Sequence, residues 1–411
     1  MLEDPIVISG SGVVAPGANN IKELRSRVLR ADSPIQFHDI PVVGRVPAGI
    51  CDYDVSQYMN KKSIRRSVPE AEISVLATAQ AIAQAGIDYK NIDLNTVSVV
   101  FGASSPGIGT LANEITRFQE RRSTPELWSH LFVLRAASNL VAAEICNCFG
   151  FQGPHFMVSS ACASGNTALI NGAHLLLAGV TKHVIVGSTA INHNFFGSYA
   201  GFRSKGILAH HEVAAKASRP FDKNRNGVVI SEGAGAFVLE RRSSALERGV
   251  RPLAELAGWA MNTDASDMVH PNSFRQIECM KASIHLANLL PTDIDFVNTH
   301  ATGTEIGDNQ EMQALSGVFS DHPNVYTNNT KSIMGHPMSS SASIELAANI
   351  DSFFDKEIHP TINCEDLDEN CKFGQLVQNK SIKMEKINYF VKNSIGLLGA
   401  NTSIVLKKPD F

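Results

Sequence analysis

The sequence predicts an α/β architecture in which two similar halves form one compact unit. Three observations lead there. Short β-rich runs alternate with longer helical patterns along the 411 residues, as expected of sheets covered by helices. The alternation starts afresh near residue 250. No Pro/Ser-rich linker separates the two stretches, although length alone would suggest two or three domains.

In order along the chain, "DPIVISGSG" (4–12), "TVSVVFGAS" (96–104), "KHVIVGST" (182–189) and "AGAFVLER" (234–241) read as buried strands bounded by glycine or serine. Between them, "AEISVLATAQAIAQAG" (71–86) and "NLVAAEICNCFG" (139–150) read as helices, the first stopping at a glycine suited to a C-cap. The second series opens with the strand-like "LAELAGWAM" and the helical "FRQIECMKASIHLANLL" (274–290). It continues through "IDFVNTHATGT", "NVYTNNTKS", the helical "SASIELAANIDSFF", and finally "NYFVKNS" and "NTSIVLKK". We divide the chain at 1–250 and 251–411. No clear identity between the two halves is visible.

Composition narrows the function. With 44% hydrophobic and 18% charged residues the chain can bury a sizeable core, and its net charge of -4 gives no basic footprint for nucleic acid or acidic membranes. "MLEDPIVISGSG" carries two acids and lacks a charged n-region and a long apolar h-region, which argues against a secretory signal. No apolar run approaches the ~18 residues that span a bilayer. Seven cysteines, an odd number, suit a reducing cytosol better than a disulfide framework. Cys146 and Cys148 have no second Cys pair or His motif, so metal binding is unsupported. A soluble, cytoplasmic protein is expected.

One cysteine stands apart. In "VSSACASGNTALINGAHLLLAGV" (158–180), Cys162 sits where a short β-like run meets a helix. The first turn of a helix gathers free N–H groups and the positive end of the dipole, a setting that favours thiolate and lowers the pKa from ~8.5. The same N–H groups can stabilise an oxyanion, and small neighbours leave room for a substrate carbonyl. On this segment alone, a buried cysteine packed in a small-residue turn is an equally open reading. Histidines tip the balance. His300 in "FVNTHATGTEIGDNQE" and His336 in "TNNTKSIMGHPMSSSASIELA" follow strand-like runs, and Lys331 lies five positions before His336. Strand ends on one edge of a sheet are where open α/β proteins assemble sites.

"ACASG", "NTHATGTEIGD", "NTKSIMGH" with Glu345 nine residues on, "RPFDKNRNGVVISEGAGAFVLE" and "NSIGLLGANTSIVL" resemble, in order, the successive motifs of the β-ketoacyl-acyl-carrier-protein synthases, most closely the elongating Cys-His-His type. The resemblance covers nearly the whole chain. It implies a thiolase fold, two similar halves in a five-layered αβαβα sandwich, usually a homodimer. By position it implies Cys162 as the nucleophile that takes the acyl chain from acyl carrier protein. His300 and His336 would bind the thioester carbonyl of a malonyl extender and assist its decarboxylation. Lys331 matches the lysine beside the second histidine, Glu345 its acidic partner, Asp308 an acid of the first histidine loop, and Thr302 and Thr304 hydroxyls on the pantetheine arm. No separate cofactor and no metal are implied. The chemistry explains these types: an acyl thioester needs a thiolate nucleophile, and an enolate oxygen can be held by two neutral imidazoles. Lys331, if charged, would keep a nearby histidine neutral.

The chain departs from the family pattern in two places. Ala301 follows His300 where glycine is usual, an added methyl expected to be tolerated. In "NSIGLLGAN", Leu397 stands at the gating phenylalanine, whose backbone N–H would complete an oxyanion hole with that of Cys162; Leu398 replaces a glycine and Ile395 another phenylalanine. Leucine disfavours φ > 0, so gate motion and acyl-pocket shape come into question. This loop points to a specialised synthase of polyketide, polyene or unusual fatty chains rather than a housekeeping enzyme. By the same resemblance Phe202 lines the acyl pocket and Phe132 reaches the partner subunit's pocket. Lys61, Lys62, Arg65 and Arg66 in "NKKSIRRS" fall where related synthases dock their acidic carrier protein.

Rival readings are a non-catalytic, chain-length-factor-like subunit paired with an active sister, a thiolase, and a cysteine hydrolase. Retention of Cys162, His300 and His336 argues against the first. The second needs a catalytic cysteine that "NSIGLLGAN" lacks, and the third leaves Lys331 and the basic patch unexplained.

Overall fold

The computed structural model describes residues 3–120 and 128–410. Ten strands matter for the site. The first five are β1 (Ile6–Val14), β2 (Val97–Gly102), β3 (His155–Val158), β4 (His183–Ala190) and β5 (Gly233–Arg241); the second five are β6 (Ala254–Thr263), β7 (Phe296–Asn298), β8 (Tyr326–Asn328), β9 (Tyr389–Gly396) and β10 (Ala400–Lys407). Residues of β1, β2 and β4 are buried throughout. Both faces of these strands are covered, which is why their sequences show apolar and small residues without a polar face.

The pairing order is β1-β5-β4-β2-β3 in the first set and β6-β10-β9-β7-β8 in the second, so each number in one order is five more than in the other. Orientations match too. In each set the first three strands of the order are antiparallel and the last three parallel. The restart near residue 250 is thus a repeat of topology. The sets are joined by a two-residue antiparallel contact, Val7 opposite Glu255 and Ile8 opposite Ala254.

Six helices complete the layers: α1 (Pro69–Gln84), α2 (Leu140–Phe149), α3 (Ser164–Leu177), α4 (Ser273–Leu286), α5 (Glu305–Val318) and α6 (Ser341–Asn349). Helices α1 and α2 cover the outer face of the first set, and α4 with α5 packed on it covers the second. Helices α3 and α6 touch strands of both sets and each other, forming the middle of five layers. They approach closely because Gly165 has no side chain: a Cβ there would lie 2.6 Å from Ser343 Oγ and 2.7 Å from Ser188 Oγ, which bond each other at 2.7 Å. Among the described residues no helix is long and apolar enough to cross a membrane.

Candidate active site

Three loops converge beside α3 and α6. The segment after β3 delivers Cys162, that after β7 delivers His300, and that after β8 delivers Lys331 and then His336. The elbow at Cys162 is locally strained, with Ala161 at φ 50°. It is held because Ser164 Oγ donates to the carbonyl of Ala161 at 2.6 Å and accepts the N–H of Ser160 at 3.0 Å. His336 is pinned through its backbone, which donates to Val229 at 2.8 Å and accepts from Ser231 at 3.0 Å.

The sulfur of Cys162 and a ring nitrogen from each histidine lie within 4.8 Å of one another. Nε2 of His336 is 3.1 Å from Sγ, and the two imidazoles stand edge to face, 5.5 Å between centroids and 85° apart. All three residues are buried. Burial, then the charge of Lys331, holds His336 down to about 3 and His300 well below the usual imidazole range, so both are neutral at physiological pH. The expected activation of the thiol by its helix is corrected here. Burial pushes the Cys162 thiol up to about 11, outweighing the charge of Lys331 and the N–H groups of Leu397 and Cys162 that favour thiolate. Both of those N–H groups lie near the sulfur.

Behind the imidazoles lies a network of charges. Lys331 Nζ is 2.5 Å from Glu345 Oε1, a pair buried on both sides. Asp308 accepts the N–H groups of Thr302 (3.0 Å), Gly303 (3.1 Å) and Phe221 (2.9 Å), so it shapes the first histidine loop from beneath. Ala301 is buried and sits outside the left-handed region, so its methyl costs the loop no backbone strain. Sequence reasoning missed three residues of this network. Glu311 accepts the N–H groups of His300 (2.8 Å) and Ala301 (2.6 Å) and the side-chain amide of Asn393 (2.7 Å). Asn329 ties the two histidine loops by donating to Ala301 O at 2.8 Å and accepting from Ser332 at 3.0 Å. Lys392 reaches the second oxygen of Glu345 at 2.7 Å.

Cys162, His300 and His336 form the floor of a cavity of about 460 Å³. Phe202, Ile207, Thr302, Thr304, Ile395 and Leu397 are among its walls, the two threonine hydroxyls 3.2 Å apart. Leu397 is half-exposed at the mouth. Leu398 is not part of the wall: it is 69% exposed, at φ 69°, with its N–H bonded to Met268 O at 2.9 Å. The glycine-like conformation is therefore retained despite the side chain. Phe132 is also off this wall, packed edge to face on Trp128 at 4.9 Å. Lys61, Lys62 and Arg65 are exposed on a short helix capped by Asn60; Arg66 lies 3.8 Å from the buried Glu144. Among the described residues Cys162, His300 and His336 are the one set of three such donors within reach of a single cation. The ammonium of Lys331 beside them opposes a dication, and we assign no metal.

A deep thiol faces two neutral imidazoles at strand ends of a twice-repeated α/β topology, an arrangement suited to nucleophilic acyl chemistry. Comparison with known proteins narrows the class. Residues 3–245 match the β-ketoacyl synthase N-terminal domain and residues 253–365 its C-terminal domain. A 3-oxoacyl-[acyl-carrier-protein] synthase 2 of Vibrio harveyi is 29% identical over 412 residues, covering 98% of both chains. The synthase 2 of Coxiella burnetii is 27% identical with the same coverage. Among solved structures, the ishigamide ketosynthase/chain length factor superposes with TM-score 0.91 at 23% identity over the full length of both chains. A β-ketoacyl synthase from Burkholderia phymatum gives 0.89, also at 23% identity, covering 99% of this chain and all of that one. At these identities the structural likeness is one of fold. The chain belongs to the β-ketoacyl synthase family, and is a condensing acyltransferase.

Proposed function

We propose that the protein joins a Cys162-bound acyl chain to a malonyl unit, both delivered on acyl carrier protein. The observation that carries the reading is the buried trio of Cys162 Sγ and two neutral imidazoles within 4.8 Å, on the floor of an apolar-walled cavity. In the first half-reaction, Sγ attacks the acyl thioester carbonyl, its proton passes to the departing pantetheine thiolate, and the N–H groups of Cys162 and Leu397 hold the oxyanion. In the second, the malonyl thioester loses carbon dioxide. The electron pair of the broken C–C bond becomes an enolate whose oxygen accepts N–H bonds from His300 and His336. The enolate carbon then attacks the Cys162 thioester, and the thiolate leaves.

Thr302 and Thr304 would bind the pantetheine arm, and Phe202, Ile395 and Leu397 would shape and gate the acyl pocket. Lys62, Arg65 and Arg66 would dock the acidic carrier protein by charge complementarity. Division into halves at residue 250, a homodimer with Phe132 entering the partner's pocket, and work in the cytosol complete the reading. The leucine loop favours a polyketide, polyene or unusual fatty chain as product. Ketosynthase/chain length factor structures among the fold's neighbours make heterodimerisation with a sister subunit the second reading.

Intact-protein mass after mixing with acyl-carrier proteins of different chain length and unsaturation tests this. An acyl adduct absent in Cys162→Ala is expected, with the preferred chain naming the product class. No adduct with any chain would overturn the reading in favour of an inert or partner-requiring subunit.

A further inference from the structure

Strand β9 carries a residue that the reaction above does not use. A lysine in mid-strand normally extends its ammonium to water, yet Lys392 is completely buried. Its Nζ lies 2.7 Å from Glu345 Oε2 and donates to the carbonyl of Asn393 at 2.5 Å. Glu345 Oε1 already faces Lys331 at 2.5 Å and accepts Ser341 Oγ at 2.7 Å. One carboxylate therefore stands between two ammonium groups in a fully buried triad.

A lone Lys331–Glu345 pair would be neutral, and the field of the acid would oppose that of the lysine at the histidines. Burying a third charge is unfavourable, and an apolar side chain of similar length would fill the space at less cost. The extra charge does something a packing residue cannot. With Glu345 neutralised by Lys392, the positive charge of Lys331 is left uncancelled toward the cavity floor. The charged and titratable groups that face the imidazoles are Lys331, Lys392, Glu345, Glu311 behind His300, and Cys162. Lys392 acts on both rings: its charge, like that of Lys331, disfavours protonation of His300 and His336, whereas Glu345 favours protonation of His336.

We propose that Lys392 is a positioning residue of the condensing site, the second cation that turns the Lys331–Glu345 pair into a triad of net charge +1 and so adds to the bias of both imidazoles toward the N–H donor form that holds the enolate. The proposal rests on the ketosynthase reading above. Burial pulls the lysine toward its neutral form, while Glu345, closest at hand, holds the proton on.

The test compares Lys392→Met and Lys392→Arg with the unmodified protein in malonyl-carrier-protein decarboxylation between pH 3 and 8. Lys392→Met removes a charge at nearly constant length. Its acid limb, set by His336 near pH 3, should move up by about one pH unit, so that kcat at pH 3.5 falls about threefold while kcat at pH 7 and KM stay within twofold. Lys392→Arg should keep the original limb. A cooperative thermal unfolding transition followed by circular dichroism reports that each variant is folded. A folded Lys392→Met with the original limb would overturn the proposal. Should that variant not fold, ¹⁵N-lysine NMR of the unmodified protein decides: an exchange-protected ammonium at Lys392 at pH 7 supports the triad, and a neutral amine overturns it. Decarboxylation absent from the unmodified protein with every carrier-bound substrate would instead overturn the ketosynthase reading, while the lysine resonance still decides the charge.

Discussion

The raised thiol of Cys162 makes a quantitative prediction about reactivity. The perturbation is iodoacetamide, a small electrophile that reacts with thiolate, applied across pH. A cysteine near its ordinary pKa of ~8.5 is about 3% thiolate at pH 7, whereas one held at about 11 is about 0.01% thiolate. Labelling of Cys162 at pH 7 should then be on the order of 300-fold slower than that of a free cysteine, before any steric factor. The rate should climb tenfold per pH unit up to at least pH 9.5, without a plateau. Burial raises the other cysteines too, but Cys148, the most accessible, and Cys364 are held at about 11 like Cys162, so they label at comparable or higher rates and must be subtracted. Intact-mass rates for the unmodified chain minus those for Cys162→Ala isolate the site. Lys331→Met, which removes a charge that favours thiolate, should slow labelling further at every pH. A plateau at or below pH 8 would refute the reasoning, because the helix terminus and Lys331 would then outweigh desolvation.

Two further outcomes follow from the geometry. His300→Ala and His336→Ala should each cut malonyl decarboxylation by about two orders of magnitude, the usual loss for one oxyanion donor, measured as carbon dioxide release; unchanged release in either variant removes that histidine from the step. Leu398→Gly relieves a side chain held at φ 69°, so thermal unfolding should rise by about 1 °C, the backbone gain being partly offset by the greater freedom of glycine in the unfolded chain. A lower melting temperature would mean that the exposed leucine contributes packing.

The reactive side chains were legible because each lies a few residues beyond a short apolar run and ahead of a helix. That pattern, seen for Cys162, His300 and His336, survives without any knowledge of how the strands pair. The charged support was less legible. Lys392 is preceded by "YFV" and followed by "NS", and nothing local says that its ammonium meets a carboxylate 47 positions earlier (392 - 345). Glu311 left a fainter trace. It falls one helical turn after Asp308, on the same face of α5, so both acids meet the N–H groups of the loop before the helix. The thiol misled for a related reason: a helix terminus is a local feature read from neighbours, whereas desolvation depends on everything packed around the sulfur. The basic run at 61–66 looked uniform in sequence, yet Arg66 is partly engaged by Glu144 while Arg65 extends into water.

The matched strand orders have a consequence for how such a chain could arise. Cys162 follows the third strand of the first set and precedes α3; His336 follows the third strand of the second set and precedes α6. The same address in each half thus supplies sulfur on one side of the seam and imidazole on the other. A pair of identical half-length ancestors would have presented two thiols or two imidazoles to each other. Fusion into one chain removes that constraint, since each copy can then drift toward a single task. Divergence between the halves is, in that sense, a requirement of the chemistry, and it accounts for a repeat visible in topology where none is visible in sequence.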